Sequence, residues 1–116
     1  MPFERAAEEL EQIQLPPGAE GVVGAAVIKG YAHSPGLRDG DVIMWGAHSQ
    51  NIQESVRERI CMLPDGRVVL RAIKKGSKNG RWHLVPGLDT DPHSVHTLND
   101  VEVLSTAPVL WTRFAT

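Results

Sequence analysis

The stretch Gly30–Trp45, GYAHSPGLRDGDVIMW, constrains the fold more than any other part of this chain. Its first seven residues hold too many turn formers for regular structure. Leu37 is a lone apolar anchor, Arg38-Asp39-Gly40-Asp41 is a tight polar turn, and Val42-Ile43-Met44-Trp45 is a short apolar run of the kind that forms a buried strand. Glycine accepts positive φ without steric penalty, so Asp39-Gly40 marks an abrupt reversal just before that strand. The rest of the chain has to supply strands and helices that pack around this reversal.

Several elements follow from periodicity. Phe3, Ala6, Ala7, Leu10 and Ile13 fall at helical spacing with Glu4, Glu8, Glu9 and Glu11 between them, which predicts an amphipathic helix over Phe3–Ile13. Pro16-Pro17-Gly18 ends it, and GVVGAAVI, Gly21–Ile28, is then a strand of small residues. Ile52, Val56, Ile60 and Leu63 again fall at helical spacing, predicting a second helix over Ile52–Leu63 stopped by Pro64-Asp65-Gly66. RVVLRAI, Arg67–Ile73, reads as a strand, Asn79-Gly80 as a hairpin turn, and Arg81–Val85 as the returning strand. Leu88–Asn99 is polar and irregular. Val101–Leu104 and Val109–Phe114 are expected to form a last pair of short strands around Ser105–Pro108.

With 116 residues, 41% hydrophobic and 22% charged, the chain has the make-up of one soluble globular domain able to bury a core. A net charge of −2 argues against a general nucleic-acid or anionic-membrane binder. Its one cysteine cannot form an internal disulfide, and no apolar run approaches the roughly 20 residues needed to span a bilayer. The acidic start MPFERAAEELEQ lacks the basic-then-apolar order of a secretory signal, so the expected location is cytoplasmic, or periplasmic or membrane-associated if the chain is a piece of a longer protein.

Catalytic and ligand-binding signatures are weak. Ser34 and Ser49 lie beside His33 and His48, but neighbours in sequence do not make a nucleophile–base pair, and no Gly-x-Ser-x-Gly elbow accompanies them. Cys61 borders the apolar stripe of the second predicted helix, where a small buried hydrophobe is the ordinary role; reactivity would need nearby positive charge, with Arg57 and Arg59 the candidates. Asp89, Asp91, His93 and His96 offer metal-binding atom types in a spacing that matches no closed zinc motif, so the segment reads as a polar loop and no metal or cofactor is expected. Arg67, Arg71, Lys74, Lys75, Lys78 and Arg81 gather basic charge around the predicted hairpin beside Trp82. The expectation there is a solvated hairpin, with no nucleic acid as partner.

The order of these elements resembles a PDZ domain of the bacterial, protease-associated kind. The residues that carry the resemblance are Gly21-Val22-Val23, Gly30, Ala32, Gly36-Leu37 and Gly40-Asp41-Val42-Ile43, followed by the predicted helix Ile52–Leu63 and the strand Gly66–Ile73. The resemblance covers Gly21–Pro86 and implies an α+β fold: a small, bent antiparallel sheet or partial barrel capped by two helices. It divides the chain into a helical extension (1–19), a PDZ-like core (20–86) and a C-terminal loop and strand extension (87–116), within one globular unit. By the family's mechanism it implies a non-catalytic protein-interaction module, an adaptor or regulatory domain that holds a peptide or protein segment in a groove beside Ile52–Leu63. With Val56, Ile60 and Leu63 on the core, Gln53 and Arg57 face that groove and Ile60 lies at its edge, a wall suited to an acidic or polar ligand side chain. Tyr31 and Pro35 depart from the family pattern, and Met1-Pro2-Phe3 offers no Gly-containing carboxylate loop. The groove is therefore expected to take an internal segment or the chain's own tail, Val109–Phe114. The alternative is a structural domain that forms homo-oligomers with its groove occluded; a small metal-binding protein is the more distant one.

Overall fold

The computed structural model describes residues 10–15, 21–27, 40–87 and 96–113. They form strands β1 (Glu11–Ile13), β2 (Gly24–Val27), β3 (Val42–Trp45), β4 (Ser55–Met62), β5 (Val68–Lys75), β6 (Trp82–Val85), β7 (Leu98–Val101) and β8 (Ser105–Arg113). All pair antiparallel in the order β1-β2-β3-β8-β4-β5-β6-β7. The sheet curls far enough that the Leu10 amide, just before β1, donates to the Val68 carbonyl at the start of β5 at 3.0 Å. One edge of β5 thus meets Leu10 at its beginning and β6 at its end.

This curl encloses the first core. Strand alternation puts Ala26, Ile43, Trp45, Ile60, Val68, Leu70 and Ala107 on one face, with Leu10 joining them and Met62 and Val109 packed alongside. The opposite face of β4 and β5 carries Cys61, Val69 and Ile73, covered by Leu63, Leu84 and Val103 with Trp82, Leu98 and Val101 around them. Strand β5 is therefore buried on both faces, which is why it reads as a nearly unbroken apolar run. Arg71, inside that run, has no exposed surface; its Nε donates to the His96 carbonyl at 3.1 Å and its Nη1 to the Leu70 carbonyl at 2.9 Å.

The α+β expectation with two capping helices is corrected: the described residues are all-β. The predicted second helix, Ile52–Leu63, contains strand β4 instead. A repeat of four is a multiple of two, so Ile52, Val56 and Ile60 fit one face of a strand as well as one face of a helix. Cross-strand partners decide between them, since Ile60 sits opposite both Leu70 and Ala107. Of the predicted helix Phe3–Ile13, Glu11–Ile13 is strand β1, and residues 1–9 lie outside the described set. The expected last strand pair is also revised. β7 pairs with β6, and Ser105–Pro108, read as a turn, is the first half of β8. Pro108 is tolerated because it sits next to the register shift at Met44/Trp45, where its carbonyl still accepts the Gly46 amide at 3.0 Å.

Other expectations hold. β3 is Val42–Trp45, preceded by Gly40 at φ 91°. Asn79-Gly80 joins β5 to β6, with Gly80 at φ 79°. Pro64-Asp65-Gly66 is a β4–β5 turn, not a helix stop, with Leu63 and Arg67 bonded across it and Asp65 bridging to the Arg67 Nε at 2.7 Å. No helix among the described residues is long and apolar enough to cross a membrane.

Packing is especially close at Gly24, directly opposite Trp45 on β3. A methyl group at residue 24 would overlap the indole ring of Trp45, so the ring occupies the space that any side chain would need. Gly24→Ala should push Trp45 off its position and lower stability by about 1–3 kcal/mol, the usual cost of overpacking a filled core. Urea unfolding monitored by far-UV circular dichroism measures this; an unchanged midpoint would show that the ring does not lie there.

Candidate functional site

The feature most relevant to binding is where β8 changes partner. Its first half pairs with β4, from Met62↔Ser105 to Arg59↔Pro108, and there the ladder stops. Beyond it, Val109–Arg113 run beside β3 alone. The start of β4 keeps only its β5 contact, Ser55↔Ile73, with a bulge between Ser55 and Arg59 in which four residues of β4 span two of β5. The two strands therefore part like a fork. Along Ser55–Arg57 the edge facing β8 has no strand partner among the described residues. Bulges of this kind re-aim side chains and end pairing, and Val56 is turned outward with 73% of its surface exposed.

Two recesses flank the start of β4. The larger, about 510 Å³, is bounded by Val56, Ala72, Ile73, Val85 and Pro86, with Glu54 and Lys74 at its rim. The smaller, about 260 Å³, is polar and is bounded by Ser49, Asn51, Gln53, Arg59 and Thr106. Glu54 and Ser55 belong to both. Ser49 reaches this position because its backbone exchanges hydrogen bonds with Thr106 at 2.8 and 3.0 Å, extending the β3 side along β8. The Ser55 hydroxyl donates to the Arg57 carbonyl at 2.8 Å, and a Glu54 carboxylate oxygen accepts the Lys75 amide at 3.0 Å, fastening the β4 start to β5.

Of the residues assigned to a groove from the sequence, Gln53 borders the polar recess and Arg57 is exposed on the bulge. Ile60 is fully buried in the first core and borders neither recess. Sequence reasoning missed Arg59 and Thr106, which meet only through the β4–β8 pairing, and Val85, which reaches the larger recess only through the β5–β6 pairing.

His48 has a serine partner, but it is Ser105 and not the adjacent Ser49. Its Nδ1 is 3.3 Å from Ser105 Oγ, and its Nε2 is 3.1 Å from the indole Nε1 of buried Trp45. Indole N–H can only donate, so Nε2 must be the acceptor, and Nδ1 then carries the proton and donates to Ser105. An imidazole held in that tautomer cannot take a proton from the serine, so the pair lacks the arrangement for nucleophile activation. Cys61 has no exposed surface, and burial pushes its thiol up to about 12 against the opposing pull of Arg71 and Arg59. It is an inert core thiol.

The basic cluster read from the sequence divides. Arg71 is internal, and Arg67 pairs with Asp65 at the far end of β5. Lys74, Lys75, Lys78 and Arg81 remain exposed around the β5–β6 hairpin tip. Asp100 on β7 pins that tip. Its carboxylate accepts the Ser77 hydroxyl at 2.6 Å and the Ser77 amide at 2.7 Å, while its own amide donates to His83 Nδ1 at 3.2 Å. Among the described residues no cluster of metal-binding side chains occurs; the Asp89–Val95 part of the metal candidate lies outside them, and His96 is exposed. Comparison with protein-family models, curated proteins and solved structures finds no match.

The Ser77 hydrogen bonds, the hydroxyl's first, hold the Asp100 carboxyl below its ordinary range. A depressed folded-state value stabilises the fold above the unfolded value, near pH 4, and that contribution disappears as pH falls through the folded value. Asp100→Asn tolerates the positive φ of 51° but accepts fewer hydrogen bonds. Thermal unfolding should place the variant below the parent at pH 7, with the gap closing below about pH 4; a gap that stays constant into strong acid would contradict this role.

Proposed function

We propose that this chain is a non-catalytic protein-interaction module that takes an extended peptide segment at the fork between β4 and β8. The observation that carries the reading is the end of the β4–β8 ladder at Arg59↔Pro108, which leaves the Ser55–Arg57 edge beside an apolar recess of about 510 Å³. Exposed strand edges are templates for a further strand: main-chain hydrogen bonds supply affinity, and recesses for alternate side chains supply choice. Val56, Ile73, Val85 and Pro86 suit one aliphatic or aromatic residue of such a segment.

The tautomer of His48 and the buried state of Cys61 support the absence of catalysis in this reading. The groove that the sequence resemblance implies beside a helix becomes, in this proposal, a groove beside a strand edge. Self-association is the second reading, favoured by the exposed Ile13 and Leu15 at the β1 edge of the sheet.

Peptides selected from a random display library against the full chain provide the test. They should shift the backbone amide resonances of Val56, Ala72, Ile73 and Val85. Val56→Asp should weaken them at least tenfold, about 1.4 kcal/mol, without moving the unfolding midpoint, because Val56 is 73% exposed. Peptides that bind the variant as well as the parent would overturn the site. Light scattering that shows dimers broken by Ile13→Lys would favour the second reading.

A further inference from the structure

We infer that the polar recess around Arg59 is a carboxylate subsite, so that the bound segment carries an aspartate or glutamate close to its apolar anchor residue. The inference rests on the peptide-binding reading and specifies the partner's chemistry. Arg59 is half-buried on β4, and its Nε donates to Thr106 Oγ1 at 3.4 Å, a long bond. Among the described residues no carboxylate lies within ion-pair distance of Arg59. A guanidinium carries five donors in a planar fork, and one that has lost part of its hydration gains most from a planar, two-oxygen acceptor.

The surroundings fit that acceptor. Ser49 Oγ is already oriented, accepting the Asn51 amide at 3.1 Å, and its O–H remains able to donate to an incoming oxygen. Asn51 and Gln53 add amide donors on the same wall, and the volume of about 260 Å³ admits a short acidic side chain. Glu54, the one acidic residue of the recess, is held toward β5 by the Lys75 amide. Lys74 at the rim of the larger recess, with the exposed Lys75, Lys78 and Arg81 farther along the β5–β6 hairpin, favours a negatively charged partner at longer range. Because Glu54 and Ser55 border both recesses, one extended segment passing them reaches the apolar and the polar recess together.

The same display selection separates this inference from the reading beneath it. Binders should be enriched in Asp or Glu, and changing that residue to Asn or Gln should weaken binding at least tenfold by fluorescence polarisation. Arg59→Gln should erase the acid-to-amide difference, and Arg59→Lys should restore part of it, since it keeps the charge but not the fork. In parallel, N-acetyl-aspartate N-methylamide titrated into the parent should shift the Arg59 Nε–H resonance, and the asparagine analogue should not. Binders that occupy the apolar recess without needing an acid, or an unchanged acid-to-amide ratio in Arg59→Gln, would overturn the carboxylate subsite while leaving the peptide reading in place. Should no peptide engage the Val56 recess, the peptide reading falls, and the small-molecule titration still decides the subsite by whether Arg59 responds. If Arg59→Gln unfolds, the Arg59→Lys variant and the titration carry the decision.

Discussion

The indole of Trp45 lying across Gly24 fixes most of what surrounds it. Because residue 24 has no side chain, β2 and β3 can pair while the largest side chain of the first core fills the space between them. Removing a buried tryptophan commonly costs about 3–5 kcal/mol, a large share of the stability of a domain this size. The ring's polar edge reaches His48, so the same side chain sets the start of the path that leads from β3 along β8 to Ser49. The polar recess depends on that path, since Ser49 and Thr106 are two of its walls.

Sharing of strand edges is the second organising device. One edge of β5 takes the Leu10 amide at its start and pairs with β6 toward its end, and β8 gives one edge to β4 for only half its length. The first arrangement draws the sheet around its core. The second leaves strands that diverge, with Pro108 at the branch point. The β4 positions beyond the end of the β4–β8 ladder lie next to the apolar recess.

Local signals in the sequence were sound where the chain itself enforces them. Gly40 before VIMW, the doubly buried Val68–Ile73 run and the Asn79-Gly80 turn depend on backbone chemistry within a few residues. The apolar repeat of four over Ile52–Leu63 serves the helix and strand periods alike, and only the partners across the ladder, Leu70 and Ala107, distinguish them. Ser105–Pro108 reads as a turn because proline usually ends a strand; a register shift in β3 accommodates it. Gln53 was legible as part of a polar wall. Arg59 was not, because its partner Thr106 is 47 residues away and meets it only through the β4–β8 pairing. Arg71 looked like surface charge and is wholly internal, a placement that no short-range pattern encodes.

The parting of β4 from β8 at Arg59↔Pro108 is the claim on which the functional reading stands. Residue-resolved amide hydrogen exchange in the free protein tests it most directly. The Ile60 and Cys61 amides, inside the two-sided ladder and fully buried, should exchange slowly, while those of Val56 and Arg57 on the bulge should exchange orders of magnitude faster. Equal, strong protection from Ser55 to Met62 would mean that the ladder continues and that no open edge exists for a partner to join.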